Sequence, residues 1–113
     1  MSQILYIASM KTIIFMGDSR ECIREFPETP RRLTGRQLLR VQHGLDPQDW
    51  KPMQTIGAGV REIRIHTGGE FRVFYVTNIG NAVYVLHAFQ KKTEATSRKG
   101  IALGRQRFKQ IGE

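Results

Sequence analysis

Cysteine, histidine and acidic residues are scarce in this chain, and each scarcity closes off a class of explanation. The single cysteine, Cys22, permits no internal disulfide and no multi-cysteine metal site, which suits a reducing, cytoplasmic setting. The three histidines, His43, His66 and His87, stand at no ligand-motif spacing, so no metal and no other cofactor is expected. No apolar run approaches the roughly 20 residues that cross a bilayer, so no membrane association is expected. The opening "MSQILYIASMKTIIF" lacks a basic segment ahead of its first apolar patch, which argues against a signal peptide. A second methionine, Met10, precedes "KTIIF" and marks residues 1–10 as a candidate N-terminal extension of a single domain spanning 1–113. Repeats, linkers and low-complexity stretches are missing as well.

What is abundant is positive charge. Eighteen Lys and Arg stand against ten Asp and Glu, a formal net charge of +8. A small domain this basic takes polyanions as its default partner class: RNA, DNA or an acidic protein. The excess is clustered. Residues 91–109 carry seven Lys or Arg against Glu94 alone, and residues 31–40 carry four arginines and no acid.

The order of elements is legible from patterning. "KTIIF" (11–15) predicts a first strand, β-branched and apolar. "GDSRECIREFP" predicts a helix capped by Asp18, with Glu21 completing a capping box, Cys22, Ile23 and Phe26 on one face, and Pro27 as its stop. "TPRRLTGRQLLRVQHG" predicts a second helix with Thr29 as cap and Pro30 in its first turn; Leu38, Val41 and Leu45 form its apolar stripe, and Gly44 and Pro47 close it. The pair makes a helical hairpin with arginines outside. "DPQDWKPM" (46–53) is expected to be a loop whose Trp50 lids the core edge. Strands follow at 60–66, 71–77 and 82–90, with turns at "TGGE" and "NIGN". In the first of these Ile63 and Ile65 point one way while Glu62, Arg64 and His66 point the other. The next two are apolar on both faces, as strands covered on two sides should be. Tyr75, Tyr84 and His87 read as core, with His87 on the parity of Val83, Val85 and Phe89. "TSRKGIALGRQRFKQI" predicts a final helix capped by Thr96, with Ile101, Phe108 and Ile111 on its packed side; Gly100 and Gly104 weaken it by about 1 kcal/mol each, so it depends on tertiary contacts. The result is an α+β domain of order β-α-α-β-β-β-α, a small antiparallel sheet with helices packed on it.

The segments "DWKPM", "GAGVREIRI…GGEFRVFYV" and "AVYVLHAFQKKT", followed by a basic helix, resemble the RelE/ParE toxin superfamily, nearest to its phage-derived, HigB-like branch in type II toxin–antitoxin systems. The similarity runs from about Lys11 to Ile111. It implies a microbial-RNase-like fold, metal-independent endoribonuclease action on mRNA at the ribosome, and a cognate antitoxin of the helix-turn-helix class. It also implies roles. Arg72, in "GEFRVFY", matches the superfamily's most recognisable strand arginine; Arg64 lies near basic positions on the preceding strand; Lys91 and Lys92 fall where members carry a basic pair after the last strand.

The chemistry agrees with those residue types. When a ribose 2′-OH attacks the neighbouring phosphate, negative charge builds on the phosphoryl and leaving oxygens, and cations fixed on rigid strands stabilise it without reorganising. Arginine's planar fork holds two phosphate oxygens and keeps its proton. Arg64, Arg72, Lys91 and Lys92 are therefore the candidate catalytic set, and Arg61, His66, Arg98 and Lys99 the candidate RNA-binding set. His66 is also a candidate proton carrier. The competing reading is that Arg61, Arg64, Glu62 and Glu70 form cross-strand ion pairs on a wet sheet face. Two other functions stay open at this level: a ParE-like DNA gyrase poison, and a non-catalytic nucleic-acid- or antitoxin-binding module.

Overall fold

The computed structural model describes residues 10–93 and 97–112. Its elements are β1 (Thr12–Phe15), α1 (Ser19–Arg24), α2 (Glu28–Gln42), β2 (Trp50–Pro52), β3 (Arg61–His66), β4 (Glu70–Ile79), β5 (Ala82–Lys91) and α3 (Arg98–Gln110). The class is α+β, as the patterning implied. The sheet has five strands in the order β1-β5-β4-β3-β2. Two features correct the expected antiparallel sheet. First, β1 pairs in parallel with β5 at one edge, from Thr12 opposite Ala82 to Phe15 opposite Val85. Second, the stretch read as a loop contributes β2, antiparallel to β3 at the other edge. An edge strand is where Pro52, with no N–H to give, does least harm.

Helices cover both faces of the sheet, which is why β4 and β5 are apolar on both sides. The α1–α2 hairpin closes one core around Ile23, Phe26, Leu38, Val41, Ile63, Phe71, Val73, Tyr75, Val83 and Val85. On the other face α3 lays Ile101, Phe108 and Ile111 over Phe74, Val76 and Leu86. The helix glycines that weaken α3 in isolation are what let it approach. A Cβ on Gly104 would meet Ile56 at 3.3 Å and Phe74 at 3.4 Å, and one on Gly100 would meet His87 at 3.5 Å. No helix among the described residues is long and apolar enough to cross a membrane.

Several helix ends differ from expectation. Asp18 makes no side-chain cap to α1; its carboxylate instead accepts from the Arg107 guanidinium at 2.8 Å. An ion pair to a distant helix has outcompeted the local cap. The second helix starts at Glu28 with Pro27 ahead of it, so Thr29 lies inside the first turn. Pro30 is still tolerated there, because first-turn N–H groups have no intrahelical partner. Leu45 falls beyond the end of α2 and is 52% exposed, leaving Leu38 and Val41 as the buried stripe. Ser97 caps α3 by accepting from Gly100 N; Thr96, the expected cap, lies outside the described residues.

A bulge corrects the place of His87. Phe74 pairs with His87 and Tyr75 with Val85, so Leu86 is an extra residue in β5. Beyond it the alternation resets. Val83 and Val85 face the hairpin, whereas His87 stacks on Phe89, at 5.6 Å between ring centroids, on the α3 side.

Candidate nucleic-acid interface

Register across β3, β4 and β5 sorts the polar residues into rows. On the α3 side of the sheet, Glu62 faces Phe74, which faces His87; Arg64 faces Arg72, which faces Phe89; His66 faces Glu70, which faces Lys91. The rows run from buried to wet towards the β3–β4 turn. At that end Arg64, His66, Glu70, Arg72, Lys91, Lys92 and Thr93 line one open cleft of about 660 Å³. Both members of the proton- and phosphate-handling sets that alternation put on one face, Arg64 and His66, are there.

Two arginines directly opposite one another repel. The counter-charge comes from Glu62, whose side chain is 1% exposed. Its Oε1 lies 3.7 Å from Arg72 Nε, 3.8 Å from Arg64 Nε and 3.9 Å from Lys51 Nζ. These are ion-pair distances, longer than hydrogen bonds, and Glu62 Oε2 and both Nε atoms have no hydrogen-bond partner among the described residues. Arg72 is fixed further by donating to Phe71 O at 3.0 Å and to Glu70 Oε1 at 3.1 Å, and its side chain is only 4% exposed. Arg72 is therefore a pre-set charge in the cleft wall, while Arg64, 33% exposed, reaches into the opening. Lys91 and Lys92 close the far side and carry no ion pair among the described residues.

His66 stands half-exposed at the rim, Nε2 2.6 Å from Asp49 and Nδ1 2.6 Å from Glu70. The Asp49 carboxylate, and after it Glu70, raises its pKa above the ordinary 6.5. Both ring nitrogens donate when the ring is protonated, so two carboxylates favour the imidazolium. Because the folded-state value is raised, the stability this contributes is complete below the unfolded value near 6.5 and is lost as pH rises through the folded one. His66→Asn should thus narrow the gap to wild type between about pH 5.5 and about pH 8.5 in urea-unfolding experiments. A gap of equal size at both pH values would show that folding does not raise proton affinity at this position.

The remaining expected residues lie elsewhere. Arg61 shares the parity of Ile63 and Ile65 and sits on the opposite face, 2.8 Å from Asp46 and stacked 3.8 Å over Trp50. Trp50 is half-buried beneath that guanidinium in β2. Arg98 lines a separate surface along α3 with Arg105 and Lys109, and Lys99 a neighbouring pocket that shares only Lys92 with the cleft. Glu62 and Asp49 were missed as organisers of the site. The signal for Glu62 was present: a carboxylate in mid-strand, two residues from Arg64, on a strand whose Ile63 and Ile65 are core. Burial, and after it Arg107, lowers the His87 pKa below the ordinary 6.5.

The model of the family described as phage-derived protein Gp49-like (DUF891) matches residues 21–109. No curated protein matches the chain. Among solved structures, one chain from the RelBE2 toxin–antitoxin complex of Mycobacterium tuberculosis is similar at 20% identity and a TM-score of 0.48, over 73% of this chain and 99% of that one. The family match covers most of the described chain and includes every residue of the cleft, so the protein belongs to the phage-derived Gp49-like family.

Proposed function

We propose that the protein is the toxin of a type II toxin–antitoxin system, a ribosome-dependent endoribonuclease that cuts mRNA in the cytoplasm and is silenced by a helix-turn-helix antitoxin. One observation carries this reading: Arg64, Arg72, Lys91, Lys92 and His66 converge on one cleft and are held there by three paired strands. In the reaction the ribose 2′-oxygen attacks phosphorus, its proton is lost, the bond to the 5′-oxygen breaks and that oxygen takes up a proton. The products are a 2′,3′-cyclic phosphate and a free 5′-hydroxyl. Arg64 and the two lysines meet the phosphoryl oxygens, and Arg72 supplies a fixed positive potential behind them. His66, whose protonated form Asp49 and Glu70 favour, is the donor to the leaving oxygen once it releases one of those two carboxylates. Glu70, the carboxylate that lines the cleft, is already taken by His66 and Arg72, so the 2′-proton passes to water. Positioning of the mRNA by the ribosome compensates, since orientation alone is worth many kcal/mol of barrier.

Silencing requires that this positive cleft be masked. A partner segment with acidic and apolar residues, lying over the sheet end or α3, has the matching chemistry. The test is induced expression without a partner, with mRNA 5′ ends mapped genome-wide and DNA integrity followed in parallel. Discrete new 5′-hydroxyl ends within translated regions are expected. Double-strand DNA breaks with intact mRNA would favour the gyrase reading, and undisturbed growth the non-catalytic one.

A further inference from the structure

We propose that Asp18, Cys22 and His87 form a binding site for a divalent transition-metal ion of the zinc type, separate from the arginine cleft. The ligating atoms of the three side chains lie within 4.8 Å of one another. Asp18 and Cys22 share one face because they are one helical turn apart at the start of α1, where Cys22 N donates to Asp18 O at 3.0 Å. His87 arrives from β5 just past Val85, the last residue paired with β1, where that edge of the strand is no longer covered by β1. A tetrahedral zinc ion sets its ligand atoms roughly 3.3–3.7 Å apart, so side-chain rotation of about an ångström closes the triangle. One sulfur, one imidazole nitrogen and one carboxylate oxygen suit zinc or cobalt, and not the all-oxygen preference of magnesium or calcium. All three residues line a pocket of about 530 Å³. Exposure rises from buried His87 through half-buried Cys22 to exposed Asp18, which gives the ion a way in and leaves a fourth position for water.

The cluster already gathers positive charge. The Arg107 guanidinium lies 2.8 Å from Asp18 Oδ1 and 3.5 Å from His87 Nδ1. Arg107 is held independently by the carbonyl of Leu86 at 2.9 Å. It also fills the space beside Gly17, where a Cβ would stand 2.4 Å from its Cζ. Metal and guanidinium therefore compete for the same carboxylate, with Leu86 keeping Arg107 near when the ion displaces it.

The test uses Co²⁺ on the purified full chain, because a thiolate ligand gives a sulfur-to-cobalt charge-transfer band and tetrahedral cobalt gives visible absorption. One equivalent should saturate both, and Zn²⁺ should abolish them. Cys22→Ser should remove the charge-transfer band. Asp18→Asn and His87→Gln should each weaken binding by about tenfold or more, and Arg107→Gln should tighten it by about tenfold through loss of the competing charge. Should buried His87→Gln fail to fold, exposed Asp18→Asn carries that arm unaided. No thiolate band at saturating cobalt, or affinity unchanged by Asp18→Asn, overturns the site. The readout does not involve RNA, so it stands or falls apart from the proposed nuclease.

Discussion

Replacing Glu62 with alanine is expected to cost about 3–5 kcal/mol of unfolding free energy, measured by urea denaturation with an unchanged slope. Glu62 is the one carboxylate among the described residues within ion-pair range of Lys51, Arg64 and Arg72 together. Arg72 cannot escape to water as an exposed arginine would. It is 4% exposed and tied to Phe71 O, and the partly exposed Glu70 would be left as its only counter-charge among the described residues. Removing Glu62 also sets Arg64 and Arg72, directly opposed across β3 and β4, against each other with nothing between them. The contrast is Asp46→Ala, which breaks the exposed pair to Arg61 and should cost less than about 1 kcal/mol. A loss below about 1 kcal/mol for Glu62→Ala would mean that the arginines relax into solvent without it, and that the cleft is not pre-organised.

The way the site was and was not legible in the sequence follows from the range of the forces involved. Period-two alternation is local, and it placed Arg64 and His66 on one face correctly. The same alternation put Arg61 with Ile63 and Ile65, and the structure obeys it: grouping Arg61 with the cleft set weighed charge above parity. Two-sided apolarity in β4 and β5 announced helices on both faces. What stayed hidden is non-local. The partner of β1 is 70 residues away, from Thr12 to Ala82, and no pattern within "KTIIF" encodes parallel pairing. Asp18 has the side chain of a cap, yet an arginine 89 residues away claims it. The bulge at Leu86 shows in the ladder but not in the string "YVLHAF", so His87 was put on the wrong side. Glu62 and Asp49 became visible only when three strands and a loop were laid side by side.

The largest functional effect is expected from Arg64. In a translating extract, Arg64→Ala should slow mRNA cleavage by about 10²–10³-fold, the usual loss for one pre-placed donor to a developing oxyanion, while Arg61→Ala should leave the rate within about threefold of wild type. The two substitutions remove the same charge from the same strand, three residues apart. They differ in face. Arg64 reaches into the cleft beside Lys91, Lys92 and His66, and Arg61 is stacked on Trp50 behind the sheet. Any effect of net charge on attraction to RNA is therefore shared by both and cancels in the comparison. Folding is matched as well. Glu62 keeps Lys51 and Arg72 when Arg64 is cut, so the stability change should stay near 1 kcal/mol and be visible separately in a thermal melt. Arg72→Ala would be the poorer probe, because its loss removes a buried counter-charge to Glu62 and confuses folding with chemistry. Equal losses for Arg61→Ala and Arg64→Ala would reduce the cleft to general electrostatic attraction. Full activity in Arg64→Ala would move the cut to another surface.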